Sequence, residues 1–302
     1  MTLQPEWPVL PMELVTRTDA YDDANTIFQV KWDGVRCLSY VDENGVRLYN
    51  RRLHARSAQY PELLEALALL PAGTVLDGEI IAPGPDGKPL LPRILRRDLV
   101  RKANQLLLSA VPIQYMIFDV LWLRGQPMHS LPLTQRLDAL TGISLSAPVV
   151  RVDSLTGQGN ALFAAVQAEG LEGIVAKKAG SLYRFGQRSP EWEKIKCMRE
   201  EDGFIGGFIP KPDGMRCVLV GMREAGGLLY AGKASSGPTQ KQWKALREQL
   251  EQLRGSCPFL KEPDEKEAVW VRPELPIRVR FMEYTQEGVM RAPAILSLGI
   301  HL

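Results

Sequence analysis

The residues of this sequence that could do chemistry are lysines and carboxylates on otherwise apolar segments. Lys31 follows an apolar stretch and precedes Trp32, Asp33 and Gly34, so its amine could be fixed beside a tight turn. An exposed lysine before a hairpin has the same pattern, so this motif alone is weak evidence. Further charges stand on strand-like segments at Asp77, Glu79, Asp119, Glu172, Lys177, Lys194 and Lys196. Buried charges are costly unless they are paired or meet a ligand or metal, so the pattern predicts a charged cleft.

The scarcity of histidine and the spacing of cysteine exclude several kinds of site. The histidines are His54, His129 and His301, and the cysteines are Cys37, Cys197, Cys217 and Cys257. No CxxC pair or other metal spacing occurs among the cysteines, and the scarcity of histidine argues against a histidine-rich zinc site and against most histidine-based triads. The cysteines are expected to be separate reduced thiols. Catalysis must then rest mainly on lysine, arginine and carboxylates.

The charge distribution is more informative than the total charge. The formal net charge is only +2, from 37 basic and 35 acidic residues. Basic residues nevertheless concentrate in residues 91–102 and 177–199, while acidic residues concentrate elsewhere, as in 262–267. Local basic surfaces on a balanced protein suit a polyanion held at one face. A solvated helix or strand face remains an alternative for each segment taken alone.

Composition and length fit an ordinary soluble protein. The chain has 302 residues, of which 45% are hydrophobic and 24% charged, and this length favours two domains over one. No apolar run reaches the roughly 18 residues that span a bilayer. The start, MTLQPEWPVLPMELV, lacks a basic leader before an apolar stretch. We therefore expect a cytoplasmic protein without a membrane partner.

The order of predicted elements gives an α+β fold. From residue 27 short strands alternate with turns, and helices are predicted at 61–70, from about residue 93, and in two later segments. The apolar run 113–123 predicts a buried central strand. After Met198 about five strands and one helix predict a small β-barrel of the OB type. The expected domains are residues 1–201 and 202–302, the first with antiparallel sheets around a cleft.

Five segments carry a resemblance to a known family. KWDGVR, VLDGEI, YMIFDVLWL, EGIVAKK and WEKIK occur in the order and rough spacing of the nucleotidyltransferase motifs of ATP-dependent DNA ligases. RLYNRRLHARSAQYPEL, YAGKASSG and FMEYTQEGVMRAP are similar to further segments of bacterial ligases related to the ligase domain of DNA ligase D. The resemblance covers about residues 8–296. It implies a nucleotidyltransferase (adenylation) domain of antiparallel sheets with flanking helices, followed by an OB-fold domain.

The resemblance also implies a reaction in three steps. A lysine attacks the α-phosphate of ATP, AMP passes to a 5′-phosphate at a nick in duplex DNA, and the 3′-hydroxyl displaces AMP. The expected cofactors are ATP and Mg²⁺, with Mn²⁺ as an alternative ion. A lysine amine is almost wholly protonated at pH 7, so the nucleophile is expected near metal and other cations. A monomer is expected, and the sequence identifies no repair-protein partner.

The resemblance assigns roles residue by residue. Lys31 is the nucleophile. The residues expected to bind the nucleotide are Gln29, Arg36, Arg51, Glu79, Phe118, Lys177, Lys194 and Lys196. Among them, Phe118 stacks on adenine, Lys194 and Lys196 hold the α-phosphate, and Lys177 lies near that phosphate. The expected metal ligands are Asp119 and Glu172, and Asp119 has a role in the last step as its alternative.

Contacts with DNA are expected from the basic segment and the second domain. The residues assigned to DNA are Arg93, Arg96, Arg97, Arg101 and Lys233, and Arg291 represents the C-terminal motif. Three departures from the family pattern stand out. Gln29 replaces a common glutamate, Arg52–Leu53 replaces Asn–Gly, and the ending LSLGIHL lacks the basic residues expected there.

Other functions share part of this pattern. An RNA ligase or a capping-type guanylyltransferase would use the same lysine chemistry, but lacks the detailed similarity at 46–64 and 280–293. A nucleic-acid-binding module with an inactive pocket belongs to a different class. Every charged position that the chemistry requires is filled, which favours an enzyme.

Overall fold

The computed structural model describes residues 8–212, 214–285 and 287–299. It divides into two compact units, Met1–Cys197 and Met198–Leu302. The domain bounds 1–201 and 202–302, with their adenylation and OB assignments, remain a prediction. The structure does not describe residues 1–7 and 300–302. The predictions about a leader and about the C-terminal ending fall in part on these residues.

The first unit contains the strands of two sheets together with α-helices. Its strands are β1 (Glu13–Arg17), β2 (Thr26–Val30), β3 (Val35–Asp42), β4 (Gly45–Asn50), β5 (Thr74–Ile81), β6 (Gln114–Leu123), β7 (Gln126–Pro127), β8 (Val149–Arg151), β9 (Leu155–Thr156), β10 (Gly173–Lys178) and β11 (Arg188–Lys196). Its helices are α1 (Pro61–Leu67), α2 (Leu91–Asp98), α3 (Gln105–Ala110), α4 (Leu133–Thr141) and α5 (Gly159–Ala168).

Two sheets form the framework of this unit. The first has the strand order β1-β11-β10-β2-β9, and the second has the order β4-β3-β5-β6-β7 with β8 beside β6. Most pairs are antiparallel, as predicted, but β1–β11 and β6–β8 are parallel. Parallel neighbours need long connections, and both pairs join strands that lie far apart in the chain.

Alternation along β2 explains how the sheets are covered. Phe28 packs with Val166 of α5 and Ile174 of β10, whereas Ile27 packs with Leu38 of the second sheet. Successive strand residues point to opposite faces, so α5 covers one face of β2. Gln29 shares the other face with Ile27, toward the second sheet.

The predicted helix after residue 93 is broken in the structure. It forms α2 and α3, separated by residues 99–104. Within this break, the backbone N–H of Ala103 donates to the Ala58 carbonyl at 3.1 Å. Asn104 then caps α3, because its side chain accepts from the backbone N–H of Leu107. A tertiary contact and a cap therefore end one helix and start the next.

The second unit is a single antiparallel sheet with one long helix in its described part. Its elements are β12 (Arg199–Lys211), β13 (Gly214–Glu224), β14 (Gly227–Ala234), α6 (Gln240–Gln252), β15 (Val269–Trp270), β16 (Pro276–Phe281) and β17 (Ala294–Leu298). The order is β14-β13-β12-β16-β17, with β15 beside β12. Helix α6 begins with a capping box between Thr239 and Gln242, and its Leu246 and Leu250 enter the core.

The predicted barrel is only partly formed. Among the described strands, no pairing joins β14 to β17 and closes the sheet. Two backbone hydrogen bonds nevertheless link these edges, from Met290 N–H to the Ala231 carbonyl (2.7 Å) and from Ile295 N–H to the Ser236 carbonyl (2.8 Å). The unit is compatible with an OB-like fold. In the described residues, no helix is long and apolar enough to cross a membrane.

Candidate active site

A pocket lies between the two sheets of the first unit. Six residues of the predicted nucleotide site line it, namely Gln29, Lys31, Arg36, Glu79, Phe118 and Lys177. Trp32, Val175 and Trp192 complete much of the wall. Strand register explains why distant segments meet here, because Val175 pairs with both Gln29 and Lys194 across neighbouring strands. The structure therefore brings together most of the predicted site.

Lys31 stands at the end of β2 and is fixed by the backbone. Its N–H donates to the Gly173 carbonyl of β10 at 2.8 Å. Gly34 ends the turn that follows, and a Cβ there would lie 2.3 Å from the Ile80 carbonyl oxygen of β5. Glycine is therefore required at this position by the close approach of the neighbouring strand.

Three lysines surround one carboxylate beside this turn. The Lys31 ammonium donates to Glu172 Oε2, and Lys196 Nζ lies 3.1 Å from Glu172 Oε1. Burial lowers the pKa of Lys194, and the charges of Lys196 and Lys31 lower it further. The cluster carries more positive than negative charge, so it can accept an additional anion such as a phosphate.

Glu79 is a half-buried carboxyl on the opposite wall. Burial raises its pKa to about 8, although the charges of Lys31 and Arg36 oppose the shift. This environment favours the protonated form, which can both donate and accept a hydrogen bond. A neutral carboxyl suits a hydroxyl partner, which is compatible with the predicted contact to ribose.

An aromatic corner of the pocket holds a second lysine of its lining, Lys177. Lys177 is buried, and its Nζ lies 4.5 Å from the centroid of the Phe118 ring and 4.1 Å from that of Trp192. Burial lowers the pKa of Lys177 to about 7. Lys177 thus makes a cation–π contact with the ring expected to stack on adenine, and its expected place near the α-phosphate remains a prediction. Trp192 is not among the site residues predicted from the sequence.

Arg36 is held by partners that sequence reasoning did not assign. Its guanidinium binds both carboxylate oxygens of Asp77, at 3.0 and 2.6 Å. It also donates to the Met12 carbonyl and to the Tyr183 hydroxyl, and Tyr183 itself donates to Asp77 at 2.6 Å. Asp77 stood out in the sequence as a carboxylate on an apolar strand. Its partner could not be read from the sequence, because Tyr183 is 106 residues away.

Asp119, a predicted metal ligand, is paired with an arginine, and its metal role remains a prediction. Arg136 of α4 binds both Asp119 oxygens, at 2.8 and 2.9 Å. Both side chains are fully buried, and Arg136 also donates to the Leu131 and Ser181 carbonyls. Both predicted metal carboxylates are thus engaged by basic side chains, Asp119 by Arg136 and Glu172 by Lys31 and Lys196. The pair of Asp119 is fully buried, whereas the two lysines on Glu172 are partly exposed, so Glu172 is the more accessible of the two.

Arg51 lies away from the lining of the pocket. It is exposed on the turn after β4, where Asn50 Oδ1 accepts from the backbone N–H groups of Arg52 and His54. Leu53 adopts a φ of 63°, a left-handed conformation that favours glycine. The departure from Asn–Gly therefore leaves the turn in place but puts a strained residue in it.

The predicted DNA-binding segment is partly internal, and for Arg97 the prediction is wrong. Arg97 is fully buried, forms an ion pair with Glu62 and donates to the carbonyls of Gln59 and Val111. Arg93 donates to two carbonyls, those of Pro83 and Ala110. A buried arginine cannot reach a phosphate.

Other predicted DNA contacts remain on the surface. Arg96 and Arg101 are exposed in the first unit. In the second unit, Lys233 pairs with Glu265 at 2.9 Å. Arg291, the representative of the C-terminal motif, pairs with Glu283 at 2.8 Å. The basic surface is therefore smaller than the sequence suggests.

No three-ligand metal centre is preformed. Within the described residues, no group of three or more histidine, cysteine or acidic side chains is arranged to hold a metal ion. Glu172 alone fits the usual way in which Mg²⁺ binds, through one or two carboxylates and the phosphates of a substrate. The donor set therefore fits a metal that arrives with a nucleotide.

Comparison with known proteins identifies family relationships for both units. The model of the ATP dependent DNA ligase domain matches residues 12–196, and that of the ATP dependent DNA ligase C terminal region matches residues 211–299. The SPbeta prophage-derived DNA ligase-like protein LigB of Bacillus subtilis is 34% identical over 204 residues, covering 67% of this chain and 73% of LigB.

Relatives of the LigD type match more of the chain. The multifunctional non-homologous end joining DNA repair protein LigD of Mycobacterium tuberculosis is 30% identical over 274 residues, covering 87% of this chain. The match spans only 35% of that longer relative. A solved structure of mycobacterial DNA ligase D complexed with ATP and MES is 29% identical, with a TM-score of 0.57, and the match covers 96% of this chain and 94% of that one. A Lig E DNA ligase, with a TM-score of 0.63 at 18% identity, supports the fold alone, over 95% of this chain and 99% of that one.

Proposed function

The chain belongs to the family of ATP-dependent DNA ligases, and on that premise we propose that it seals nicks in duplex DNA through a lysyl-AMP intermediate on Lys31. The observation that carries the proposal is the position of Lys31 in the pocket, among Lys194, Lys196 and Glu172. The positive charges of the lysine cluster would attract the phosphates of ATP to the Lys31 amine. The pocket lining beside it, which includes Phe118 and Glu79, could contact the nucleoside. A nucleophile held near its target needs little further ordering.

The first step is attack of the Lys31 amine on the α-phosphate of ATP. The amine leaves its contact with Glu172 and gives up a proton to solvent. A nitrogen–phosphorus bond then forms, and the bond from the α-phosphorus to the bridging oxygen breaks as pyrophosphate departs. Lys194 and Lys196 are placed to stabilise the negative charge that grows on the phosphoryl oxygens. Phe118 and Gln29 orient the adenine, and the protonated Glu79 offers a hydrogen bond to the ribose.

The next two steps move AMP to DNA and then release it. An oxygen of the 5′-phosphate attacks the phosphorus of lysyl-AMP, and the nitrogen–phosphorus bond breaks as the amine takes up a proton. The 3′-hydroxyl then attacks the activated 5′-phosphate, forming the phosphodiester and releasing AMP. Arg36, kept in one orientation by Asp77 and Tyr183, is the residue we assign to the nucleotide or the 5′-phosphate.

A divalent metal fits this arrangement at one place. Glu172 would hold Mg²⁺, or Mn²⁺ in its place, together with the ATP phosphates. Such an ion supplies neutralisation of phosphate charge when it is bound. Asp119 is not included, since Arg136 occupies both of its oxygens.

The pathway is proposed from the relatives. Several of them are named as non-homologous end joining proteins, and this chain spans about a third of their length. We propose a role in DNA repair for this chain on that similarity, with nicked duplex DNA as substrate and ATP as cofactor.

The experiment that tests the proposal combines two assays. The protein is incubated with α-labelled ATP or GTP and Mg²⁺, and intact-mass spectrometry with peptide mapping locates any nucleotide adduct. We expect one AMP on Lys31 and preferential use of ATP. The adenylated protein is then offered nicked duplexes with DNA or RNA strands, and we expect sealing of DNA. Absence of an adduct, preference for GTP, or preferential sealing of RNA would contradict the proposal.

Binding to DNA is expected to depend on a few individual phosphate contacts and to weaken as the salt concentration rises. With a net charge of +2, attraction rests on individual phosphate contacts, each contributing a slope of about −0.9 in log K against log salt. Arg96→Ala with Arg101→Ala should reduce the slope for nick binding by about 2, because both side chains are exposed. Fluorescence polarisation between 50 and 200 mM salt measures this effect. Self-adenylation, which needs no DNA, should change little.

Two features make this test specific. Arg97 stays unmodified, because its side chain supports the fold. Lys241→Ala with Lys244→Ala removes the same charge from exposed positions of α6 and serves as the matched control. Equal slopes for the two double variants would show that net charge alone, and not this segment, sets the affinity.

A further inference from the structure

A groove on the second unit is lined by charged side chains of both signs. It has a volume of about 550 Å³, and strands β13 and β14 contribute Arg216 and Lys233 to its lining. Residues 265–267 of the acidic segment 262–267 also line it. This segment contains four acidic residues and one lysine. The groove therefore brings a run of negative charge against basic residues of the sheet.

Two ion pairs join the acidic segment to the sheet. Lys233 Nζ lies 2.9 Å from Glu265 Oε1, and Arg216 Nη1 lies 3.2 Å from Glu267 Oε2. The side chain of Glu265 is 16% exposed, whereas those of Arg216 and Glu267 are 63% and 65% exposed. Exposed ion pairs contribute little free energy, so the pair of Lys233 is expected to be the more stable of the two.

Several contacts hold the Glu265 carboxylate in place. The Tyr230 hydroxyl donates to Glu265 Oε1 at 3.3 Å. The backbone N–H of Glu265 donates to the Pro263 carbonyl at 2.8 Å, and the Glu265 carbonyl accepts from the Ala268 N–H at 3.0 Å. A carboxylate that is already ordered loses little conformational entropy when it binds a lysine. Glu265 can therefore compete with other anions for Lys233.

We propose that segment 262–267 takes the place of a DNA phosphate on Lys233 and Arg216, and thereby weakens binding of the second unit to the DNA backbone. This inference rests on the proposed function, which supplies duplex DNA as the partner. Lys233 is a predicted DNA contact, but in the structure it is paired with Glu265. Carboxylates and phosphates bind ammonium and guanidinium groups through the same charge-assisted hydrogen bonds. A DNA phosphate must therefore compete with the acidic segment for both basic residues.

Release of the two basic residues should change the salt dependence of DNA binding. Glu265→Gln with Glu267→Gln removes both negative charges, keeps the size of the side chains and retains an acceptor for Tyr230. We expect this variant to bind a nicked duplex more tightly than the wild type at low salt. Each new phosphate contact adds about −0.9 to the slope of log K against log salt, so the slope should be steeper by about 1.8. This corresponds to a roughly 12-fold greater loss of affinity between 50 and 200 mM salt.

The measurement is fluorescence polarisation of a nicked duplex without ATP or Mg²⁺, so that no sealing occurs. The matched control is Glu262→Gln with Asp264→Asn, which removes the same charge from exposed positions of the same segment. Neither of these residues is in the groove lining of the described part of the chain, so the control should keep the wild-type slope. Equal slopes for the two double variants would overturn the proposal, because net charge alone would then set the affinity.

A cycle of variants tests whether the gain in affinity depends on the two basic residues. Arg216→Gln with Lys233→Gln should lower the slope by about 1.8 in the protein with Glu265→Gln and Glu267→Gln. In the wild-type background the same change should lower the slope by clearly less, because both residues are already paired. An equal loss of slope in the two backgrounds would overturn the proposal, since both residues would then contact DNA in spite of the acidic segment.

The proposed function and this inference can fail separately. The binding cycle needs no nucleotide, so lack of an adduct on the wild type would contradict the lysyl-AMP proposal alone. A wild-type affinity and slope in the protein with Glu265→Gln and Glu267→Gln would contradict the role of the acidic segment alone. Thermal unfolding of each variant distinguishes these results from a loss of folded protein.

Discussion

Replacing Lys31 with alanine is expected to abolish the AMP adduct and to reduce sealing of ordinary nicks below detection. The amine is the atom that forms the bond to phosphorus, and the neighbouring lysines cannot replace it from their own strand positions. Lys31→Arg should give the same result, because a guanidinium keeps the positive charge but remains protonated. The two variants together distinguish loss of the nucleophile from loss of charge. Intact-mass spectrometry and gel assays of sealing provide the measurements.

DNA that already carries a 5′-adenylate provides a sharper version of this test. Its sealing needs no enzyme–AMP intermediate, so Lys31→Ala should retain measurable activity on it. The matched control is Lys178→Ala, which removes an exposed lysine that pairs with Asp23 at 2.6 Å and should leave the adduct in place. Recovery of an adduct on another residue of Lys31→Ala would refute the assignment of the nucleophile.

Much of the pocket could be predicted because strand periodicity and the motif resemblance agree. Gln29 lies on β2 and Lys31 directly follows the last residue of that strand, and Val175 pairs with Gln29 across the sheet. The resemblance named Glu79 and Phe118, and the structure places both in the lining. The alternation of side chains depends on neighbouring residues in the chain, so it can be predicted from the sequence. The order of the strands in a sheet depends on residues far apart in the chain, and the parallel pairing of β1 with β11 was not predicted.

The errors concern charges whose partners lie far along the chain. Arg97 belongs to a run of basic residues that predicts a basic surface. In the structure its side chain is buried at α2 and forms an ion pair with Glu62. Asp119 follows the expected adenine-stacking residue and looks like a metal ligand until Arg136 of α4 is brought against it. Sequence patterns reveal that a charge is present. They do not show whether tertiary packing has already neutralised it.

The buried pairs also explain why a basic run is a poor guide to affinity for DNA. A buried arginine needs acceptors for its donors, and Arg97 finds a carboxylate and two carbonyl groups inside the protein. Substitution of such a residue would lower the stability of the folded protein, so a change in DNA affinity could not be attributed to a lost phosphate contact. This is the physical reason for testing Arg96 and Arg101 as the contacts with phosphate.

The second large effect is expected for Glu172→Gln. The substitution keeps the size of the side chain but removes the charge that binds Lys31 and Lys196. It also removes the carboxylate that we propose for Mg²⁺, and an amide oxygen is a weaker ligand for that ion. We expect the rate of self-adenylation to fall by about 10²–10³, the usual loss when one preorganised electrostatic group is removed from an active site.

The fold should survive this substitution, which makes the loss of activity interpretable. Lys31 and Lys196 are 20% and 31% exposed, so both can turn toward water when their partner is neutral. Thermal unfolding should therefore shift little. Glu191→Gln is the matched control, because Glu191 forms a partly exposed ion pair with Arg184 at 3.8 Å and should retain a rate near that of the wild type.

Titration with Mg²⁺ decides how Glu172 acts. If the carboxylate holds the ion, Glu172→Gln should need a higher Mg²⁺ concentration for half-maximal adenylation, and part of the rate should return at saturation. If it only positions the lysines, the half-maximal concentration should stay the same while the maximal rate falls. A wild-type rate at every concentration would contradict both roles. Such a result would move the expected metal contact to Asp119, the other carboxylate of the predicted pair, whose oxygens accept from Arg136.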